Sequence, residues 1–71
     1  SKAKLDQMRK ELGQVEASMA KAEAEKADLE LQISTATGAR RINDISQQIK
    51  KITETLGNLE IQWLTLGETL E

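Results

Sequence analysis

The stretch INDISQQIKKITETLGNLEIQWLTLGETL, residues 42–70, decides the fold of this chain. Its large apolar side chains are separated alternately by three and four residues, without interruption: Ile42, Ile45, Ile49, Ile52, Leu56, Leu59, Trp63, Leu66 and Leu70. This heptad pattern is typical of an α-helix that buries one narrow stripe against a partner helix. A β-strand cannot produce it, because its two faces alternate with a period of two residues. We therefore predict a coiled-coil helix over residues 41–70.

The first half of the chain carries a second stripe with the same spacing: Leu5, Met8, Leu12, Val15, Met19, Ala22, Lys26, Leu29, Ile33 and Ala36. This predicts a partner helix over residues 3–35. Lys26 is the one charged member, and its stem is expected to cover the stripe while the ammonium reaches Glu23 or Glu30. Contact with a partner molecule is the alternative role for Lys26. Three opposite-charge pairs are spaced i,i+4 and are expected to support the helix: Asp6 with Lys10, Lys21 with Glu25, and Lys26 with Glu30.

Turn-forming residues cluster between the two stripes, in the segment STATGARR of residues 34–41. Gly38 is the expected point of chain reversal, because glycine adopts positive φ without steric cost and often follows a helix end. Thr35 or Thr37 is expected to cap the second helix. A short turn, at residues 36–40, between helices of equal length favours an antiparallel arrangement. The predicted fold class is therefore all-α, a two-helix antiparallel coiled-coil hairpin.

The register of this hairpin follows from pairing the two stripes. In an antiparallel pair of helices, the residue numbers of two facing positions have a constant sum. A sum of 78 places Ile33 by Ile45 and Val15 by Trp63, and it leaves a tight turn. A sum of 71 would instead leave Ile33 in a twelve-residue loop, so we prefer 78. Trp63 is expected to be part of the core, with its indole N–H at the edge toward water. The alternative role for Trp63 is a stacking platform for a nucleic-acid base.

The composition excludes most catalytic chemistry. The chain has 71 residues with no His and no Cys, so the usual metal sites and the His- or Cys-dependent nucleophiles are missing. The four glycines are scattered and form no phosphate-binding loop. We therefore predict no catalytic residue, no metal ligand and no enzymatic activity for this chain.

The size of the chain predicts one small domain over residues 1–71. Its longest uncharged run, residues 61–67, is too short to span a bilayer, so no membrane contact is expected. The chain begins at Ser1 without Met and ends within a heptad, which indicates a domain excised from a longer protein. Two helices bury only one stripe each, and self-association or docking to parent domains would bury more.

Basic residues are concentrated in two places. Four lie near the start of the chain, at Lys2, Lys4, Arg9 and Lys10, and four lie in the turn-proximal half of the second helix, at Arg40, Arg41, Lys50 and Lys51. Every charged residue from Glu54 onward is acidic. Heptad positions place Arg40, Lys50 and Lys51 on the outer face of the helix and Arg41 beside the stripe. These four residues are the candidate nucleic-acid-binding residues, since four charges suffice for weak phosphate contact. The alternative is an ordinary solvated helix face.

Two segments resemble a known family. Residues 9–12 (RKEL) and 15–16 (VE), followed by an Ala/Glu/Lys-rich stretch, resemble the first helix of the C-terminal domain of ABC-F ATP-binding proteins, the Uup-like group. Residues 59–66, LEIQWLTL, resemble the end of that family's second helix. The turn of residues 34–41 lacks the acidic, Pro and Tyr residues often found in the family loop.

This resemblance implies a bacterial cytoplasmic ATPase whose tandem nucleotide-binding domains lie outside this chain and bind ATP and Mg²⁺. The hairpin itself would need no cofactor. In the family it is a non-catalytic module associated with DNA or ribosome binding, so DNA or ribosomal RNA is the expected partner, together with the parent ATPase domains. The alternative is a purely structural coiled coil, for oligomerisation or spacing, in an unrelated protein.

Overall fold

Two α-helices and a short turn make up the computed structural model, which describes residues 1–71. Helix α1 comprises Lys2–Thr35 and helix α2 comprises Ala39–Leu70. The helices pack against each other along a rod of 56 × 14 × 14 Å. A helix of 34 residues is about 51 Å long at 1.5 Å per residue, so each helix runs nearly the whole length of the rod. The predicted all-α antiparallel hairpin is confirmed.

The helix ends are defined by Ser1 and Gly38. The Ser1 hydroxyl accepts a hydrogen bond from the Lys4 backbone N–H at 3.2 Å and caps α1. Gly38 immediately precedes α2 with φ 88°, which confirms that the chain reverses at this glycine. The prediction that Thr35 or Thr37 caps α2 is wrong. Gly38 occupies the capping position without a side chain, and the Thr35 hydroxyl instead donates to the Gln32 carbonyl at 3.4 Å.

The core is the seam between the two predicted stripes. Ile45 is completely buried, and Val15, Ala22 and Leu56 are also buried. Every other member of the stripes is half-buried except Leu5, Ile42 and Trp63. Because there is no third helix to cover the flanks of the seam, four residues in all are buried. The stability of the hairpin therefore depends on the single row of apolar contacts between the two stripes.

A contact between the helices establishes the register. The Trp63 indole Nε1 lies 3.3 Å from Glu16 Oε2. Partner numbers that sum to 78 place Trp63 opposite Val15, beside Glu16, which agrees with this contact. A sum of 71 would place Trp63 opposite Met8, about 12 Å along the axis from Glu16. The prediction that Trp63 is core needs correction, because 40% of this residue is exposed. The seam of two helices is too narrow to enclose an indole.

The predicted i,i+4 ion pairs are absent. The one salt bridge joins Arg9 to Asp6 at 3.5 Å, at i,i+3 spacing, and both side chains are more than half exposed. Lys26 is half-buried on the seam, as predicted, but its ammonium has no carboxylate within 4.0 Å. Exposed ion pairs contribute a net of about 0–1 kcal/mol, because the side-chain entropy lost in holding the pair offsets most of the Coulomb energy. Surface charge pairing therefore contributes little to this fold.

Candidate nucleic-acid interface

The four candidate basic residues lie on α2 as two pairs rather than one cluster. Arg40 and Arg41 are in its first turn, and Lys50 and Lys51 follow about three turns later; all four are exposed. Arg40 and Lys51 are eleven residues apart, so they lie on one line along the helix about 16 Å from each other. Asp44 lies between them on nearly the same line. The charge of this face is therefore positive at both ends and interrupted in the middle.

Arg41 contacts the other helix. Its Nη2 donates to Gln32 Oε1 at 3.1 Å, and Gln32 Nε2 donates to Asp28 Oδ2 at 2.8 Å. The position of Arg41 beside the seam is thereby confirmed. A guanidinium has five N–H donors, so Arg41 keeps donors free for another ligand. The bond to Gln32 holds the guanidinium at the end of the rod nearest the turn.

Gln32 is the residue of this site that the sequence analysis missed. It carries no charge and lies outside the apolar stripe, so neither residue type nor periodicity singles it out. The heptad pattern nevertheless contained a signal. In a register of 78, Gln32 and Arg41 both flank the seam on the same side, where such residues of antiparallel helices face each other.

The surroundings of Lys51 offer no enclosed pocket. A shallow depression of about 310 Å³ lies beside it, bordered by Glu25, Leu29 and Ile52 among others. No group of three or more His, Cys, Asp or Glu side chains is arranged to hold a metal ion. The site consists of exposed point charges, which suit contact with phosphate groups better than enclosure of a small molecule.

The opposite end of α2 has the opposite charge. Glu54, Glu60, Glu68 and Glu71 are all exposed. Trp63, the only aromatic residue of the chain, lies in this acidic half, about 34 Å along the helix from Arg40. No aromatic side chain therefore accompanies the basic pairs. An interface at the turn has charge but no stacking surface.

The comparison with protein families gives one match. The family model described as ABC transporter C-terminal domain matches residues 5–68, which include most of both helices and the whole turn. No curated protein and no solved structure matches the chain. Neither helix combines the length and the apolar character needed to cross a membrane. The family match excludes the alternative of a coiled coil from an unrelated protein, and the hairpin is a module of an ABC protein. The chain belongs to the ABC transporter C-terminal domain family.

Proposed function

We propose that this hairpin is the non-catalytic C-terminal module of a cytoplasmic ABC-F type ATPase, and that it binds DNA or ribosomal RNA weakly through phosphate groups. The observation that supports binding is the charge arrangement of α2. Its turn-proximal half exposes Arg40, Arg41, Lys50 and Lys51, none of which forms an ion pair, while its other half is acidic. Within α2, this arrangement favours contact through the side of its turn-proximal half.

The spacing of the basic pairs supports contact with two separate phosphates. Arg40 and Lys51 are about 16 Å apart along one line. This distance is comparable with the width of about 12 Å of the major groove of B-DNA. One basic pair on each side of a groove would orient the rod across it. Asp44 lies between the pairs, over the groove, where it contacts no phosphate.

The absence of an aromatic surface near the turn predicts little sequence preference. Base readout requires groups that reach base edges, and binding to single strands relies on stacking. Long flexible lysines contact phosphates of any sequence. We therefore expect a dissociation constant of about 10⁻⁶ M or weaker at physiological salt, as for other non-specific complexes.

A salt titration with duplex DNA and with a structured RNA tests this proposal. The wild-type hairpin is compared with a variant in which Arg40, Arg41, Lys50 and Lys51 are all replaced by Gln. With about four phosphate contacts, the log–log slope of affinity against salt on duplex DNA should be near −3.6. Each single replacement should reduce the magnitude of that slope by about 0.9. The quadruple variant should lose nearly all binding.

A charge-matched control separates this site from general electrostatics. Replacing Lys2, Lys4, Lys10 and Lys21 by Gln removes the same charge from exposed positions of α1. This control should bind like the wild type after correction for net charge. Equal loss in both quadruple variants would contradict a localised interface. If no variant binds, including the wild type, the hairpin has a structural role in its parent protein.

The ABC-F assignment has its own test. The gene sequence upstream of Ser1 should encode two nucleotide-binding domains with Walker and signature motifs, which would supply the ATP and Mg²⁺ sites. An upstream region that encodes membrane-spanning helices fused to a single nucleotide-binding domain would contradict it. This test is independent of the binding experiment, so either half of the proposal can fail alone.

A further inference from the structure

A groove lies between the helices near the end of the rod that is distant from the turn. Leu12 of α1 and Trp63, Leu64 and Gly67 of α2 line it, and its volume is about 250 Å³. Leu64 is 53% exposed and Trp63 is 40% exposed. Leu64 lies outside the seam, so packing of the hairpin does not account for a large aliphatic side chain there. The groove is an apolar surface without a partner inside the chain.

Gly67 and Glu16 determine the shape of this groove. A Cβ atom built on Gly67 would meet no atom within 4 Å, so the missing side chain leaves open space beside the indole. On the other side, the bond from Trp63 Nε1 to Glu16 Oε2 holds the plane of the ring. The indole therefore presents a face that is positioned before any ligand arrives.

The rim of the groove is uniformly acidic. Glu16, Glu68 and Glu71 line it, and no Lys or Arg does. None of the three carboxylates forms an ion pair. An aromatic face beside carboxylates that form no ion pair attracts a cation, because the ring quadrupole and the negative charges act in the same direction. The same charges repel phosphate groups, so the ligand of this groove differs in kind from the ligand proposed for the turn.

We propose that this groove docks a basic segment of a protein, one that presents an Arg or Lys side chain next to an aliphatic side chain. The cationic group lies over the face of Trp63, within reach of Glu16 and Glu68, and the aliphatic side chain packs on Leu64. The volume agrees with one or two side chains. It is below the range of about 300–1,000 Å³ found for clefts that enclose drug-sized molecules.

Trp63 makes the test direct, because it is the only aromatic residue of the chain and its indole lines the groove. The probe is an alanine-rich helical peptide that carries one Leu and one Arg four residues apart. It should shift the emission saturably at low ionic strength, with a dissociation constant below about 1 mM. The same peptide with Gln in place of Arg should bind about tenfold more weakly, and the version with Glu should not bind.

Variants of the hairpin locate the binding. Gly67→Leu fills the groove and also improves helix propensity, so loss of binding in this variant cannot be attributed to unfolding. Gly57→Leu is the matched control, since it makes the same change in α2 about 15 Å away, where the added side chain also meets open space. The double variant Glu16→Gln, Glu68→Gln should bind the Arg peptide about five- to tenfold more weakly.

Three results would overturn the proposal. The first is that, up to about 1 mM, the Arg peptide binds no better than the Gln and Glu peptides, whether all three bind or none does. The second is unchanged binding in Gly67→Leu. The third is an emission shift produced by raising the protein concentration alone, which would identify a second copy of the chain as the occupant of the groove.

Discussion

The indole N–H of Trp63 donates to the Glu16 carboxylate across the two helices, over a distance of 3.3 Å. Two side-chain hydrogen bonds join the helices, and this is the one far from the turn. The other, from Arg41 to Gln32, lies beside the turn. Trp63 and Glu16 therefore connect the open end of the hairpin by a polar contact that only the observed register allows.

Replacing Glu16 by Ala should lower the free energy of unfolding by about 0.5 kcal/mol, at the low end for a hydrogen bond because the pair is solvent-exposed. For a chain of this size the melting temperature should fall by about 2–4 °C. Thermal unfolding followed by circular dichroism measures this change. Glu30→Ala is the control, since Glu30 is exposed on the same helix and has no cross-helix bond. An equal effect of both variants would show that the Trp63 contact adds nothing to stability.

Lys26→Leu should stabilise the hairpin by about 1 kcal/mol. Lys26 is half-buried on the seam without an ion pair, so an apolar side chain there replaces a solvated ammonium with a seam contact. The melting temperature should rise by about 4–8 °C. Sedimentation or light scattering must accompany the measurement, because an apolar residue at this position also favours self-association. A monomeric variant with reduced stability would show that Lys26 makes a favourable specific contact.

Two glycines should respond to alanine in opposite directions. Gly13 is helical and exposed, and an added Cβ would meet open space, so Gly13→Ala should stabilise the hairpin by about 1 kcal/mol. Gly38 has φ 88° and ψ 132°, a sparsely populated conformation that costs residues with a side chain about 1–3 kcal/mol, so Gly38→Ala should destabilise it. Denaturation of both variants under identical conditions compares them directly. A stabilising Gly38→Ala would mean that the turn adopts another conformation in solution.

Small-angle scattering should show a rod close to 56 Å long in dilute solution. The Cα radius of gyration of the hairpin is 16.3 Å. A single continuous helix of 71 residues would extend about 107 Å, so the two shapes are easily separated. A mass of 7.9 kDa in the same experiment identifies the monomer. A longer particle at twice this mass would show that two chains pair through opened hairpins.

Much of this fold follows from the sequence, because the heptad spacing determines which side chains of each helix face the partner helix. The spacing identified the buried residues Ile45 and Leu56 and the register that places Trp63 beside Glu16. Residue type favours Thr35 or Thr37 as the cap of α2, but capping depends on which residue directly precedes the helix, and that residue is Gly38. Trp63 was assigned to the core by position alone. Its exposure depends on the width of the seam, which periodicity does not measure.

The candidate sites were less predictable than the fold. Charge clustering identified Arg40 and Lys51, and once the helix is predicted its rise per residue gives their separation of about 16 Å. The link from Arg41 to Gln32 depends on the register. The groove depends on the missing side chain at Gly67 and the large side chain at Trp63. The position of a glycine in a helical sequence does not predict whether a groove lies beside it.

The three-residue turn also determines the order in which the hairpin assembles. Arg41 and Gln32 are nine residues apart in the chain, whereas Trp63 and Glu16 are 47 apart. Closing the longer loop directly from the unfolded chain costs about 1.5 kcal/mol more in conformational entropy. Contacts next to the turn therefore form first, and each new layer shortens the loop that the next one must close. The loop lengths therefore predict that the helices pair from Gly38 outward and that the indole of Trp63 reaches its carboxylate late in folding.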